Sequence, residues 1–352
     1  MSYINVERSM FTDRCNDAGR LTGTLHIEAR SLSYLHVGTG GVKLIVKPEA
    51  LEAIKKAKHS FSEILRYINT HSEAVSYDFS ETVRYTGKPV IPGSTIKGLC
   101  RSRIELLSKS MEGRVGACFI KASRPLRDYP PRGVHGWRHS RIWDDPVLEN
   151  RGPPCDASRW EYYNDIAVCR VCDIFGTSGL ASRVFFGNLY QVSGGVVNLV
   201  LDYNEKVEAV TPGSVFKGEI SFIGLEPFEF GLVAIGLKLH RDDPILVGKS
   251  KYRIRKVVSG PKELIGRGIV FGRVTFTAEC LNVPLRCKPV VERVLGESVK
   301  AESDEPTGIL SLRGDLLKKF IEKCVEEAKE KYPWIRGESE VNEVKLLEEL
   351  GK

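Results

Sequence analysis

The sequence predicts an α+β fold from three observations: strand-like alternation that recurs along the chain, helical spacing in the segments between, and glycine-rich turns joining the two. Residues 21–34 alternate apolar and polar side chains, the period of a half-buried strand, and end at Leu35-His36-Val37-Gly38-Thr39-Gly40-Gly41. Residues 48–68 place Leu51, Ile54, Phe61, Leu65 and Ile68 at helical spacing around a polar middle, which reads as a helix. Residues 90–98 pass through a Pro92-Gly93 turn into a helix over 99–110. Periodicity then disappears between Pro125 and Pro154, where proline, glycine and arginine are frequent and a long loop-rich insertion is expected. Strand patterns return at 183–192, 196–201 and 214–224, and the apolar run 228–239 is long enough for a helix. A glycine-rich stretch, 260–272, leads into alternation at 273–281, and 316–332 has the pattern of an amphipathic helix. Strand, helix, strand and then the same again fits a ferredoxin-like α+β sheet with insertions better than a doubly wound nucleotide fold. The expected divisions are a first half of the core at 1–117, the insertion at 118–180, the second half at 181–285 and a charged helical tail at 286–352.

Composition narrows the function. With 352 residues, 42% hydrophobic and 28% charged, the chain can bury a sizeable core. Lys plus Arg exceed Asp plus Glu by 52 to 45, and many of the glutamates sit in 318–352, so the body is more basic than the net +7 and favours a polyanionic partner. No apolar run approaches the ~20 residues that span a bilayer, and residues 1–20 lack a hydrophobic signal core, so a cytoplasmic protein without membrane contact is expected. Neither Gly38-Thr39-Gly40-Gly41 nor Gly266-Arg267-Gly268 completes a dinucleotide fingerprint, and no phosphate-loop motif is present, which disfavours nucleotide-cofactor chemistry.

Nine cysteines without a secretory signal point away from a disulfide framework and toward metal. Cys169-x-x-Cys172 is the strongest signal, because two thiolates at that spacing reach one tetrahedral zinc ion. The remaining ligands are sought among His135, His139 and Cys155, all within the insertion, where a structural zinc would order a segment with little core of its own. Cys15, Cys100, Cys280, Cys287 and Cys324 read as buried or incidental.

Two segments suit an anionic strand. The loop Pro92-Gly93-Ser94-Thr95 lets backbone N–H groups approach a phosphate, the following helix start adds partial positive charge, and Ser94, Thr95 and Lys97 add hydroxyls and a cation. Lys249, Lys251, Arg253, Arg255 and Lys256 alternate with Ser250, Tyr252 and Ile254, so an extended segment would line up cations on one side, with Tyr252 free to stack.

Leu35–Gly40, Ile91-Pro92-Gly93-Ser94-Thr95-Ile96-Lys97-Gly98 and Gly266-Arg267-Gly268-Ile269-Val270-Phe271-Gly272, in this order, resemble the RAMP (repeat-associated mysterious protein) superfamily. Cys169-Arg170-Val171-Cys172-Asp173-Ile174-Phe175-Gly176 is similar to an element of backbone subunits of type III CRISPR complexes. The resemblance implies an RRM-related core and a protein that, with copies of itself and other CRISPR subunits, binds guide RNA and target RNA in antiviral defence. It implies RNA contacts at Gly38, Gly40, Gly93, Ser94, Thr95, Lys97, Arg101, Lys249, Lys251, Arg253, Arg255 and Arg267. It also implies that Asp78, between the first glycine loop and the Ile-Pro-Gly motif, is placed to cut target RNA with a divalent metal such as Mg. Two alternatives stay open: a guide-processing endoribonuclease using His26 or His36, and a terminal capping subunit of the same assembly.

Overall fold

Leu25, Ile27 and Ala29 alternate with His26, Glu28 and Arg30, and this period of two sets the faces of the main sheet. The structure is a computed structural model that describes residues 4–14, 19–40, 44–46, 52, 55, 60, 62–63, 66, 70, 75–77, 79–118, 142–143, 149–159, 166–298, 303–304, 308–335 and 342–349. Its main strands and helices, in chain order, are β1 (Leu21–Ser31), β2 (Lys88–Ile91), α1 (Gly93–Leu107), α2 (Arg170–Phe175), β3 (Leu189–Ser193), β4 (Val196–Leu201) and β5 (Glu205–Val210). They continue with β6 (Val215–Leu225), α3 (Pro227–Leu237), β7 (Ile254–Ser259), β8 (Gly268–Val270), β9 (Arg273–Pro284), β10 (Ile309–Arg313) and α4 (Gly314–Lys331). The molecule is mixed α/β, with several sheets and helices.

The main sheet runs β10-β9-β1-β6-β3-β2, and every neighbouring pair is antiparallel. Short strands extend it: Arg84–Tyr85 beyond β2, Ser303–Asp304 beyond β10, Val184–Phe186 on β6 and Ile245–Leu246 on β9. Ile96, Leu99, Cys100 and Ile104 of α1 and Leu317, Phe320, Ile321 and Cys324 of α4 belong to the core cluster that also holds Leu25, Ile27 and Ala29. Between them α3 is buried along its whole length, as a helix apolar on all sides must be. Phe230 on α3 meets Phe222 of β6 at 5.3 Å and Phe320 of α4 at 5.7 Å, which ties helix to sheet and helix to helix. A second antiparallel sheet, β5-β4-β7-β8, closes on Leu199, Leu201, Val207, Ala209, Val257 and Phe271.

Most expected elements appear with small shifts in their ends. The helix expected over 99–110 starts earlier, at Gly93, and the strand expected over 183–192 is divided into Val184–Phe186 and Leu189–Ser193. The helix expected over 48–68 lies largely outside the described residues. The segment read as a charged tail supplies β10 to the main sheet and α4 to its core: its charges occupy one helix face while Leu317, Phe320 and Cys324 occupy the other. Among the described residues no helix is long and apolar enough to cross a membrane.

Candidate metal centre and nucleic-acid cleft

Cys169 caps the start of α2 and Cys172 lies in its first turn, so the two-residue spacing brings both sulfurs to one side. Cys118, just after the short strand Arg114–Val115, and Cys155, in the 149–159 segment, complete a buried group of four. All four sulfurs lie within 4.8 Å of one another, with Cys118 to Cys172 at 3.4 Å and Cys118 to Cys169 at 3.7 Å. Four thiolates about 2.3 Å from a tetrahedral zinc ion stand roughly 3.8 Å apart, whereas a disulfide requires about 2.05 Å. All four are free thiols, so the cluster could hold a metal ion.

The surroundings fit a dication held by thiolates. Arg101 Nη2 donates to Cys172 Sγ at 3.2 Å and Arg8 Nε to Cys155 Sγ at 3.4 Å, while the backbone N–H groups of Cys118 and Cys169 donate to Cys169 and Cys155 at 3.4 and 3.3 Å. A divalent ion with four thiolates carries a net charge of about −2, which two guanidinium groups offset. Without a cation the thiols compete. Hydrogen bonds from Cys118, Cys169 and Cys172 draw Cys155 far below the ordinary thiol range, whereas sharing with Cys118 and Cys155, together with burial, pushes Cys169 and Cys172 above it.

Of the ligands expected from sequence, Cys155, Cys169 and Cys172 come together. His135 and His139 lie outside the described residues, and the fourth sulfur is that of Cys118, which sequence reasoning left unassigned. The signal was available as arithmetic, since Cys118, Cys155, Cys169 and Cys172 are the four cysteines of one 55-residue stretch, counting from 118 to 172.

A second site forms where loops from distant parts of the chain meet. Among the described residues, a cleft of about 490 Å³ is lined by Val37, Gly38, Gly40, Ser80, Thr95, Gly248, Lys249 and Lys251, none of them a carboxylate. Thr95 stands in the first turn of α1, which holds no acid, so the positive end of the helix dipole reaches the cleft uncompensated by a carboxylate, while the Gly93, Thr95 and Ile96 N–H groups donate to Asn188 and the Pro92 carbonyl. Gly93 is required here because a Cβ would lie 1.9 Å from the carbonyl oxygen of Phe186; its own N–H donates to Asn188 Oδ1 at 3.0 Å. Gly248, at φ +84°, passes so close to His36 that a Cβ would lie 2.5 Å from its carbonyl oxygen, and the same oxygen accepts the Lys249 N–H at 2.9 Å. Lys249 Nζ pairs with Glu205 at 2.7 Å in an exposed bridge, of the kind worth about 0–1 kcal/mol and readily exchanged for another anion.

The cluster at 249–256 departs from the expected track. Residues 249–253 form turns, with Ser250 at φ +63°, and the strand begins only at Ile254. Arg255 then faces inward, buried between Asp202 and Glu205 with Nε and Nη1 each at 2.5 Å from an acid, so the cations do not share one face. Tyr252 is buried against Val344 and Leu347 and is not placed to stack on a base. Arg101 likewise is committed to Glu105, the Gly176 carbonyl and Cys172, because its position on α1 faces the cysteine cluster. Lys97, in the second turn of α1, is partly buried, which lowers its pKa together with the neighbouring charge of Arg101. Ser94 is exposed at the helix start, Arg253 lies in the turn, and Arg267 is exposed in the β7–β8 connection, apart from the residues that line the cleft. Asp78 lies outside the described residues.

His36 supports the cleft from below. It is buried, its Nδ1 donates to the Glu208 carbonyl at 2.7 Å, and Nε2 faces the Ser80 hydroxyl at 3.3 Å. Burial, and after it the charge of Lys249, lowers its pKa below the ordinary value, which favours the neutral ring. His26 points to the other face of the main sheet, where Asn282 Nδ2 lies 3.2 Å from its Nε2. The two histidines do not share a site.

Residues 28–330 match the RAMP superfamily. The chain belongs to that superfamily. The crystal structure of Thermofilum pendens Csc2 aligns with 97% of this RAMP chain and 94% of its own, at 14% identity and a TM-score of 0.36. No curated protein matches.

Proposed function

We propose that this RAMP protein is a subunit of a CRISPR ribonucleoprotein that holds single-stranded guide RNA, and target RNA paired to it, by the phosphate backbone. One observation carries the reading: the first glycine loop (Gly38, Gly40), the Ile-Pro-Gly-Ser-Thr turn (Thr95) and the Lys249–Lys251 turn, separated by up to about 210 residues, line one cleft that holds no carboxylate among the described residues. The helix dipole, hydroxyls and lysines attract phosphate without reading bases, so binding is largely independent of sequence and steeply dependent on salt.

The order β9-β1-β6-β3 supports a ferredoxin-like core, because β1-α1-β3-β6-α3-β9 is a βαββαβ run paired antiparallel with α1 and α3 in the core beside it. In this reading 1–117 and 181–285 are the two halves of the core, 118–180 carries the metal centre, and 286–352 completes the sheet. The metal is zinc, bound by Cys118, Cys155, Cys169 and Cys172, and its work is structural: Arg101 links Cys172 to α1, six residues and about 9 Å along the helix from Thr95. The protein acts in the cytoplasm beside copies of itself and other subunits.

Filter binding to single-stranded RNA at low and moderate salt tests the reading. The Lys249→Ala, Lys251→Ala double variant is expected to bind on the order of tenfold more weakly at moderate salt, with a salt slope smaller by about 1.4, two lost phosphate contacts at ~0.7 each. No binding of wild-type protein at low salt, with duplex DNA preferred, would sink it.

A second reading adds cleavage. Ser80 lines the cleft, and Asp78 precedes it by two residues, within about 7 Å of chain, so its carboxylate would hold a divalent ion such as Mg beside the bound strand. In the assembled complex Asp78→Ala should abolish cutting of complementary RNA and leave affinity nearly unchanged; cutting at the original rate would confine the chain to a scaffold role.

A further inference from the structure

The face of the main sheet turned away from α1, α3 and α4 carries aromatic side chains that the core does not use. Tyr85 and Tyr190 are 58% and 41% exposed. Their rings meet edge to face, with centroids 5.6 Å apart and planes at 65°, so each braces the other while an outer ring face stays open to solvent. Register places them: Tyr190 stands opposite Lys217 of β6 and Val90 of β2, and Tyr85 stands opposite Lys88. Phe185, 49% exposed, points the same way as Ser221, its partner on β6.

We propose that Tyr85 and Tyr190 form a stacking platform for unpaired bases of an RNA strand that leaves the phosphate cleft, an inference that rests on the reading of the cleft given above. Continuity with the cleft argues for this occupant. Residues 80–85 form an extended ribbon whose first residue, Ser80, lines the cleft and whose last is Tyr85, about 16 Å away at 3.3 Å per residue. That ribbon is held to the glycine loop by the Gly38–Thr82 bridge and the Val83 N–H to Val37 carbonyl bond of 2.8 Å. Arg84 anchors it further, through Glu208 and the Gly87 carbonyl, the latter at 2.8 Å. The backbone that supports the rings is therefore the one that walls the cleft.

Chemistry argues for bases rather than a protein partner. The patch is a pair of aromatic rings edged by exposed Lys88, a combination that stacks on bases while attracting a linking phosphate. Stacking is tolerant of base identity, which suits a protein whose phosphate grip is also indifferent to sequence. The open positions further along the sheet, Glu28, Lys217 and Glu279, are tied to one another by ion pairs and offer a strand no free charge. That confines the platform to the β2 and β3 edge.

The test uses the full chain and two probes, a short oligouridylate and an abasic sugar-phosphate strand of the same length. Wild-type protein is expected to bind the oligouridylate at least tenfold more tightly than the abasic strand. Tyr85→Ala and Tyr190→Ala should each lose on the order of tenfold for the oligouridylate, leave the abasic strand unaffected and keep the salt slope, since stacking releases no counterions. Phenylalanine at either position should restore affinity, because the ring and not the hydroxyl does the stacking. Both side chains are exposed, so the thermal midpoint of the variants should match wild type. Equal binding of both probes by wild-type protein, or alanine variants that hold the oligouridylate as tightly as wild type, overturns the platform while leaving the cleft intact. Failure of the cleft reading has a different signature: Lys249→Ala, Lys251→Ala protein would bind the abasic strand as well as wild type does.

Discussion

Protein purified without chelators is expected to contain one zinc ion per chain, and Cys169→Ser to contain none. The effect should be large because Cys169 is tied to two other members of the cluster: its sulfur faces Cys118 at 3.7 Å and accepts the Cys118 N–H, while its own N–H donates to Cys155. Serine leaves three thiols and a hydroxyl that binds zinc poorly, with Arg8 and Arg101 then facing a site of reduced negative charge. At a thousandfold excess over the dissociation constant a metal contributes about 4 kcal/mol, and at about 2–4 °C per kcal/mol its loss lowers the melting temperature by roughly 10 °C. Elemental analysis and thermal melting check this together. Metal-free wild-type protein, with an unchanged melting temperature in the variant, would show that the four cysteines are only packing residues.

Arg183→Met should destabilise the fold by about 3–5 kcal/mol, the range for removing one partner of a buried ion pair. Arg183 is fully buried, and its Nη2 lies 2.7 Å from Asp173 Oδ2 and 2.6 Å from Glu229 Oε1, with Nη1 on Glu229 Oε2 at 2.7 Å and on the Gly224 carbonyl at 2.8 Å. It thus fastens the start of α2, one residue past Cys172, to the start of α3, where Glu229 also accepts the Glu226 N–H in a capping box. Methionine fills much of the same volume, so the loss comes from two buried carboxylates that keep only the partly exposed Arg14 and Arg170 as counter-charges. Adding Glu229→Gln should recover part of the loss, since a neutral amide keeps the cap and removes one stranded charge. The shift in denaturant midpoint reads both; a single variant within 1 kcal/mol of wild type would mean that water reaches the network and screens it.

The candidate site was legible in part, and the residues show why. Thr95 stood out because a Pro-Gly turn before a helix start has a local signature, Gly38 and Gly40 through the resemblance, and the structure places all three on the cleft. Lys249 and Lys251 were found by charge, but Arg255, chosen by the same rule, turns inward to Asp202 and Glu205. Alternation predicts which residues share a face only while the backbone stays extended, and the turn at 249–253 breaks the period. Arg101 turns to the cysteines for a related reason: a helix has several faces, and which one meets the cluster depends on packing. Cys118 was missed because it lies 51 residues from Cys169, outside any local spacing rule.

The sequence by itself determined the alternation of β1, β6 and β9, the helices α1, α3 and α4, the basic surplus and the Cys169-x-x-Cys172 pair, since each depends on neighbours a few positions away. Only the tertiary structure decided the antiparallel order of the strands, the meeting of Gly38, Thr95 and Lys249 in one cleft, the fourth cysteine, and the exposure of Tyr85 beside Tyr190. These are contacts between residues far apart in the chain. They are fixed by which faces bury apolar surface against which others, a property of the whole packed core that no local period records.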